Sequence, residues 1–201
     1  FPRSFSYGND AVETVSYDPD GAKKLLEESG WTDTDGDGYV DKDGQKLSIN
    51  WLTYPTRLEQ PKLAEYAQAT LKDIGIDVVV NNTSDHMTIA KSGDFDVYVS
   101  STTTAPTGDP EYFFTSTVTG AKNYGKYQNE EVTKLTDQLH QTFDKDERAK
   151  LAVELQQDIL DDDAFFFVSH LNMGIVTKSN VTGMAAHPCD YYEITAELDV
   201  E

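Results

Sequence analysis

The sequence predicts an α/β fold in which a mixed β-sheet is flanked by helices. Segments with helical periodicity and clear end signals alternate with short apolar runs rich in valine, isoleucine and tyrosine. Strands that alternate with helices are typical of sheets whose faces are covered by helices. The chain has 201 residues, enough to bury a sizeable core. We therefore expect residues 1–201 to form a single domain.

The first half of the chain begins with a well-marked helix. Asp18 can cap its start, Pro19 suits its first turn and Gly30 ends it, while its apolar residues, Leu25 among them, are expected to face inward. Gly75 closes a second helix that begins after the "PTR" segment. The other predicted elements are an alternating strand at "KLSINWLTY", a buried strand at "IDVVV", a short helix at "SDHMTIAKSG" and a strand at "FDVYVS".

The second half of the chain is richer in helices. It opens with the polar loop "STTTAPTGDP", which leads into the aromatic "EYFF" segment, where Asp109 is expected to cap a helix and Pro110 to occupy its first turn. Two amphipathic helices follow, with apolar positions at Val132, Leu135 and Leu139 and at Leu151, Leu155 and Ile159. We predict strands at "AFFFVSHL" and "MGIVTK", then an irregular tail over residues 181–201 in which "YYEITAEL" can add an edge strand.

The charge of the chain excludes several classes of partner. Lys and Arg number 16 against 36 Asp and Glu, a formal net charge of −20. A surface this acidic repels phosphate backbones and anionic lipids, so we expect no binding to nucleic acid or to membrane surfaces. No apolar run reaches membrane-spanning length. The single cysteine, Cys189, excludes an internal disulfide and a cysteine-rich zinc site.

The stretch "DTDGDGYVD", Asp33 to Asp41, has the spacing of an EF-hand calcium loop. Such a loop places oxygen ligands at positions 1, 3, 5, 7 and 9, a glycine at 6 and a bidentate glutamate at 12. Gly38 stands sixth, but Gly44 stands twelfth, so the glutamate is missing. We predict weak, structural Ca²⁺ binding, and a solvated Asp-Gly turn is the alternative. The predicted ligands are Asp33, Asp35, Asp37, the carbonyl of Tyr39 and Asp41.

Two other functional classes fit the sequence less well. The acidic loop occurs once and precedes a strand, which disfavours a calcium sensor or a calcium-dependent structural module such as a dockerin. An enzyme is also disfavoured, because the sequence contains no G-x-S-x-G, no HExxH and no phosphate-binding glycine loop. His187 can form a transition-metal site with the thiol of Cys189 and a neighbouring carboxylate, or it can be a lone surface histidine.

Five segments, in this order, resemble the family 5 extracellular solute-binding proteins, the peptide, dipeptide and nickel receptors of ABC importers. They are "YDPDGAKKLLEESGW", "DTDGDGYVD", "EYAQATLKDIGIDVVV", "FDVYVSSTTTAPTGDPEYFF" and "YQNEEVTKLTDQL", and the similarity runs from about Tyr17 to Val176. The resemblance implies a two-lobe clamshell of the periplasmic-binding-protein type II class, of which this chain is the second, C-terminal lobe. Residues 1–16 are then the crossover segment and residues 181–201 the tail.

The resemblance also implies partners and a location. We expect a monomeric, extracytoplasmic receptor, either periplasmic or a cell-surface lipoprotein, that binds small-molecule or peptide cargo and delivers it to ABC permease subunits. Cargo contacts are implied on the two loops that follow the first and last strands of the first half. These contacts are Tyr54, Thr56 and Arg57 on one loop, and Thr102, Thr103, Thr104 and Thr107 on the other. Polar surface turns, and a surface ion pair of Arg57 with an acidic neighbour such as Glu59, are the alternatives.

The resemblance narrows the cargo class. Pro106 stands where peptide receptors of the family carry the aspartate that holds the amino terminus of the peptide. Proline offers no charge to an ammonium group. The "TTTAP" segment instead resembles receptors for nickel carried by organic chelators, although no histidine stands between Met87 and His140 to bind the metal directly. We therefore favour a nickel–chelator cargo, with oligopeptides or dipeptides as the alternative.

Overall fold

The structure is a computed structural model that describes residues 1–172, 174–185 and 196–201. The chain divides into two compact units. The unit that we call the sheet unit is Val15–Ser101, and the helical unit is Phe1–Thr14 together with Thr102–Glu201. One unit is inserted, as an unbroken stretch of chain, into the sequence of the other. That residues 1–201 form a single domain stays a prediction.

The sheet unit is built around three parallel strands, in the order β4-β3-β5. Parallel strands need long crossover connections, and helices supply them here between β3 and β4 and between β4 and β5. This arrangement confirms the predicted α/β class. The elements are α1 (Pro19–Glu28), β1 (Asp41–Lys42), β2 (Gln45–Lys46), β3 (Ser48–Thr53), α2 (Glu59–Lys72), β4 (Asp77–Asn82), α3 (His86–Ser92) and β5 (Val97–Tyr98).

Burial in the sheet unit departs from the sequence pattern in two places. Leu52 and Thr53 are adjacent in β3 and both are fully buried, although the pattern predicted alternation. The central strand of a parallel sheet is covered on both faces, so neighbouring side chains are buried together. Leu25 in α1 was expected to face inward and is 64% exposed. The α1 cap is as predicted, since the Asp18 carboxylate accepts a hydrogen bond from the Gly21 N–H.

The antiparallel part of the fold in the sheet unit is a short hairpin. β1 and β2 pair through Lys42 and Gln45, with a two-residue turn between them. Both turn residues have positive φ, 54° at Asp43 and 75° at Gly44. This is the pattern of a type I′ turn, which matches the twist of the flanking strands and is favoured by Asp-Gly sequences.

Gly75 links the end of α2 to the segment that leads into the hairpin. Its φ is 82°, and the Ile76 N–H donates to the Leu71 carbonyl at 2.9 Å, which is the hydrogen bond of a Schellman cap. The Gly75 carbonyl accepts from the Val40 N–H at 2.8 Å. A Cβ atom at this position would lie 2.9 Å from Val40 Cγ1. Gly75 therefore allows both the helix end and the close approach of Val40.

The helical unit consists of helices around an aromatic and aliphatic core. Its helices are a 3₁₀ turn (Asn9–Ala11), α4 (Glu111–Phe113) continued by a π-helical turn (Phe114–Val118), α5 (Glu130–Gln141) and α6 (Lys145–Asp161). A two-stranded antiparallel pair, β6 (Val181–Thr182) and β7 (Asp199–Val200), lies in the tail. The core residues are Tyr7, Phe113, Phe114, Val118, Val132, Leu135, Leu139, Leu151, Ala152, Leu155 and Ile159.

The predicted strands after α6 are wrong. None of residues 164–172 or 174–178 lies in a strand. Phe165 and Phe167 have stacked rings whose centroids are 6.1 Å apart, and both rings contact Phe113, whereas Phe166 between them is 84% exposed. The alternation in the sequence thus reflects aromatic packing on the core and not a strand ladder. Most of the edge strand expected at "YYEITAEL" lies outside the described residues.

Arg148 joins three segments of the helical unit. Its Nε and Nη2 atoms donate to the two carboxylate oxygens of Asp109 at 2.9 and 2.7 Å, and Nη2 also donates to Glu111 at 2.9 Å. Nη1 donates to the backbone carbonyls of Leu139 and Thr142 at 2.6 and 2.7 Å. All five N–H donors of the guanidinium are therefore used. Asp109 also accepts from the Glu111 N–H. Because α4 begins at Glu111, Pro110 occupies the N-cap position, and the helix starts one residue later than predicted.

Glu111 is held by two side chains at once. Besides the Arg148 contact, its carboxylate is hydrogen-bonded to His140 Nδ1 at 2.6 Å. Burial alone would raise the pKa of Glu111, but the hydrogen bonds from His140 and Arg148 outweigh burial and lower it. The ionised carboxylate is therefore the form that the fold stabilises.

No helix in the described part of the chain is both long and apolar enough to cross a membrane.

The close contact at Gly75 can be tested by adding a single methyl group. We expect Gly75→Ala to lower the free energy of unfolding by about 2–3 kcal/mol, because it combines an unfavourable positive φ with a clash against Val40. Gly36→Ala is the matched control, since Gly36 has φ of 81° but nothing within 4 Å of the added atom, and it should cost only about 1 kcal/mol. Urea denaturation measures both, and equal losses would argue against the clash.

The Glu111 network predicts a pH dependence of stability. The folded-state pKa of Glu111 lies below its ordinary value of 4.5, so its stabilising effect is present above that pH and is lost as the pH falls through the folded-state pKa. We expect Glu111→Gln to lower the free energy of unfolding at neutral pH by about 1–3 kcal/mol. The wild type and this variant should then converge as the pH falls from about 5 to about 3.

The control for this experiment is Glu131→Gln. Glu131 pairs with Lys134 at 2.9 Å on the exposed surface, so its loss should cost at most about 0.5 kcal/mol. Denaturant titrations at several pH values give the comparison. If the difference in the free energy of unfolding between wild type and Glu111→Gln stays constant across this pH range, the ionised form of the carboxylate does not contribute to stability.

Candidate functional site

The carboxyl ends of the three parallel strands carry a cluster of aromatic and polar side chains. Tyr54 follows β3, His86 begins α3 shortly after β4, and Tyr98 ends β5. The order β4-β3-β5 means that the chain crosses from one side of β3 to the other after β4. Ligands of open α/β sheets bind outside the carboxyl ends of the strands at such a reversal of strand order. We call Tyr54, His86, Tyr98 and Ser101 the sheet-edge cluster.

The members of the sheet-edge cluster contact one another directly. The rings of Tyr54 and His86 are stacked, with centroids 4.1 Å apart and planes inclined by 18°. His86 Nδ1 is hydrogen-bonded to the Tyr98 hydroxyl at 2.8 Å. The Tyr54 hydroxyl accepts from the Ser101 N–H at 3.2 Å. Only 8% of Tyr54 is exposed, so this tyrosine is the buried member of the cluster.

Buried polar atoms surround the same edge. Gln60, in the first turn of α2, donates from Nε2 to the Ser101 hydroxyl at 2.8 Å and is 3% exposed. Gln60 Oε1 and Thr53 Oγ1 are buried and have no hydrogen-bond partner among the described residues. Unpaired buried polar atoms cost free energy and are rare in folded proteins. The carboxyl edge of the sheet therefore contains buried polar groups that do not serve the packing of the sheet.

The other predicted cargo contacts are distributed over both units. Thr56 and Arg57 are exposed in the sheet unit. Arg57 makes no ion pair with any residue that the structure describes, so the alternative pairing with Glu59 is not observed. The four candidate threonines belong to the helical unit, where Thr102 and Thr107 are exposed and Thr103 and Thr104 are half-buried.

Pro106 is buried in the helical unit, next to buried Ala105. Close by in sequence, the Gly108 carbonyl accepts from the Tyr7 hydroxyl at 2.6 Å. Burial, together with the nearby Asp109 carboxylate, raises the pKa of Tyr7 to about 12, so the hydroxyl keeps the proton that it donates. A depression of about 370 Å³ lies here, lined by Tyr7 and Arg148 among others. Lys145 also lines this depression, whereas the Arg148 donors are already satisfied by Asp109, Glu111 and two backbone carbonyls.

The acidic loop of the sheet unit folds around its own backbone. The Asp33 carboxylate accepts from the N–H groups of Gly36 and Gly38 at 2.7 and 3.0 Å. The carboxylates of Asp35 and Asp37 accept from the backbone two residues further on, at 3.1 and 2.9 Å. One oxygen from each of these three aspartates lies within 4.8 Å of the others, and all three residues are exposed. This geometry fits three of the predicted calcium ligands.

Asp41 is arranged differently from the other three aspartates. Both oxygens of its carboxylate are hydrogen-bonded to Thr34, to the N–H at 2.9 Å and to the hydroxyl at 2.7 Å. These bonds lower the pKa of Asp41. Its backbone pairs with Thr32, which closes the loop at its base. The Tyr39 ring lies 4.3 Å from the Lys46 ammonium, and a Tyr39 carbonyl ligand stays a prediction.

His86 is absent from the site residues predicted from the sequence. It follows a predicted buried strand, and so it stands at the carboxyl end of the sheet. That position was the available signal. The hypothetical transition-metal site at His187 and Cys189 falls on residues outside the described part of the chain.

Comparison with known proteins identifies the relatives of this chain. Residues 1–125 match the family described as bacterial extracellular solute-binding proteins, family 5 Middle. The oligopeptide-binding protein AppA of Bacillus subtilis (strain 168) is 30% identical over 96% of this chain and 37% of its own length. The nickel-binding periplasmic protein of Escherichia coli (strain K12) is 26% identical over 94% of this chain and 37% of its own length.

The fold agrees with these relatives. The crystal structure of NikA from Brucella suis in complex with Fe(III)-EDTA superposes with a TM-score of 0.69 and 27% sequence identity, covering 81% of this chain and 34% of NikA. The present chain thus spans little more than a third of the length of the proteins that it matches. The chain belongs to the family 5 bacterial extracellular solute-binding proteins.

Proposed function

We propose that this chain is part of the substrate-binding component of an ABC importer. The full-length protein would capture an extracellular solute between two lobes, with this chain in the second, and deliver it to the permease. The observation that carries the proposal is the family match over residues 1–125, which include the whole sheet-edge cluster. The polar carboxyl edge of the sheet supports it, because solutes bind at such edges in α/β folds.

For the cargo, we favour nickel bound to a small organic chelator. Pro106 is buried and its side chain carries no carboxylate, so this side chain cannot pair with the ammonium group at the amino terminus of a peptide. The relatives named for nickel binding support this choice. An oligopeptide or dipeptide is the alternative, supported by the 30% identity with the oligopeptide-binding AppA.

The same proposal gives the setting in which the protein works. We infer an extracytoplasmic receptor, periplasmic or a cell-surface lipoprotein, that acts as a monomer and is not an enzyme. The net charge of −20 supports a partner other than nucleic acid or anionic lipid. The relatives are named as binding proteins, one of them as periplasmic, which supports capture without chemical conversion.

We also propose that the acidic loop holds a structural calcium ion. Asp33, Asp35 and Asp37 support this, because their carboxylates repel one another without a cation and each offers an oxygen within 4.8 Å of the others. The absence of a glutamate at Gly44 implies an affinity in the extracellular range, on the order of 10⁻⁴ to 10⁻³ M. Such an ion would brace the loop that the Thr32–Asp41 pairing closes.

The cargo proposal predicts which ligands stabilise the full-length protein against heat. A cargo whose free concentration is about 100 times its dissociation constant adds about 2.7 kcal/mol to the free energy of unfolding. This increase raises the melting temperature by several degrees. We expect nickel–histidine complexes to produce such a shift and di- and tripeptides to produce a smaller one. Free histidine and nickel-free chelator are the controls. Stabilisation by peptides and not by nickel complexes would reverse the choice of cargo.

The calcium proposal predicts a second, independent thermal shift. Millimolar Ca²⁺ should raise the melting temperature of the wild type, and Asp35→Ala should abolish that increase while leaving the fold intact. Asp20→Ala removes an exposed carboxylate of α1 outside the loop and should retain the calcium effect. An equal response to calcium in the wild type and in Asp35→Ala would mean that the loop is only an acidic turn.

A further inference from the structure

We propose that His86 contacts the cargo directly through its Nε2 atom, while Tyr54 and Tyr98 hold its imidazole in place. This inference rests on the proposed function and assigns the contact to a residue that sequence reasoning passed over. The group that His86 would recognise is an electron-pair acceptor on the cargo. That acceptor is either a chelated divalent transition metal or an N–H group, because a neutral imidazole nitrogen binds both.

The environment of the His86 ring leaves one nitrogen available. Tyr54 covers one face of the ring at a centroid distance of 4.1 Å, and the Tyr98 hydroxyl engages Nδ1 at 2.8 Å. Nε2 has no hydrogen-bond partner among the described residues, and it is not one of their buried unpaired atoms. His86 as a whole is half-buried. The ring is therefore fixed on one side and accessible to solvent at Nε2.

The surroundings of Tyr98 allow a tautomer of His86 in which Nδ1 carries the proton. The Tyr98 hydroxyl also lies 3.8 Å from the sulfur of Met87, and a thioether can only accept a hydrogen bond. When Tyr98 donates its proton to Met87, its oxygen accepts from Nδ1–H of His86. Nε2 then carries the lone pair. A metal-binding histidine in proteins has this arrangement, with its second nitrogen donating to a neighbouring oxygen.

Tyr54 is a positioning residue by the same geometry. Its hydroxyl is occupied by the Ser101 N–H at 3.2 Å, its ring is covered by His86, and 8% of its surface is exposed. It can therefore offer little surface to a solute. The position predicted from the sequence as a cargo contact instead supports the residue stacked on it. His86 lies at the carboxyl edge of the sheet, where α/β folds bind their ligands.

Two variants of the full-length protein separate the contact from the packing. His86→Asn retains a polar group near Tyr98 and lacks Nε2, whereas His86→Phe retains a ring against Tyr54 and lacks both nitrogens. Calorimetric titration with nickel–histidine and with a tripeptide should give an affinity about tenfold or more weaker in both variants for whichever cargo the wild type binds. His140→Asn is the matched control, because His140 is exposed in the helical unit and should leave the affinity unchanged.

A spectroscopic measurement on the wild type does not depend on how the variants fold. In protein labelled with nitrogen-15 histidine, the Nε2 signal of His86 should shift or broaden when cargo is added, while the signals of His140 stay constant. The visible absorption of a nickel cargo distinguishes the two chemistries. If His86 coordinates the nickel in the wild type, the bands of the bound cargo should differ between the wild type and His86→Asn. If His86 instead binds an N–H of the cargo, the bands should be the same in both proteins.

The outcomes are distinct. Wild-type affinity in both variants, or an Nε2 signal that does not respond to cargo, overturns the role of His86 and leaves the proposed function standing. A wild-type protein that binds neither nickel complexes nor peptides overturns the proposed cargo classes and this inference with them. Weaker binding in both variants at an unchanged melting temperature, with a responsive Nε2 signal, supports the inference.

Discussion

The Arg148 guanidinium is the interaction on which the helical unit depends. One side chain, 15% exposed, binds the carboxylates of Asp109 and Glu111 and two backbone carbonyls at the end of α5. Carbonyls at a helix end have no partner within their own helix, and Arg148 supplies it. A planar fork of five donors can satisfy all these acceptors, which the single ammonium of lysine cannot. The same contact anchors the end of the loop that carries the four candidate threonines.

In the sheet unit, the corresponding constraint is the parallel pairing of β3 with both of its neighbours. Parallel pairing brings the carboxyl ends of all three strands to one edge, so Tyr54, His86 and Tyr98 meet although they are far apart in sequence. The two crossover helices make this pairing possible. The cluster is thus a consequence of topology, and its polarity comes from the few side chains that follow each strand.

Local signals predicted much of this fold, because caps and turns depend on near neighbours. Asp18 and Gly75 occupy the positions that their chemistry predicted. The failures concern tertiary contacts. The segment around Phe166 has a strand pattern but lacks a strand partner among the described residues. The stacking of His86 on Tyr54 joins residues that are far apart in sequence, and no local pattern indicates that contact. The division into two units has no signal in the sequence, since no low-complexity linker marks its boundaries.

The insertion of Val15–Ser101 into the sequence of the helical unit affects the order of events during synthesis. A ribosome that has released residue 101 has delivered every strand of the three-stranded sheet, so that sheet can form while translation continues. Tyr7 must wait much longer, because its hydroxyl pairs 101 residues away with Gly108 and its carbonyl 149 residues away with Gln156. Contacts between residues this far apart in sequence form late and slowly. The aromatic residues that precede the sheet unit therefore remain uncovered until α6 has emerged, which makes this the stage at which a chaperone has most to protect.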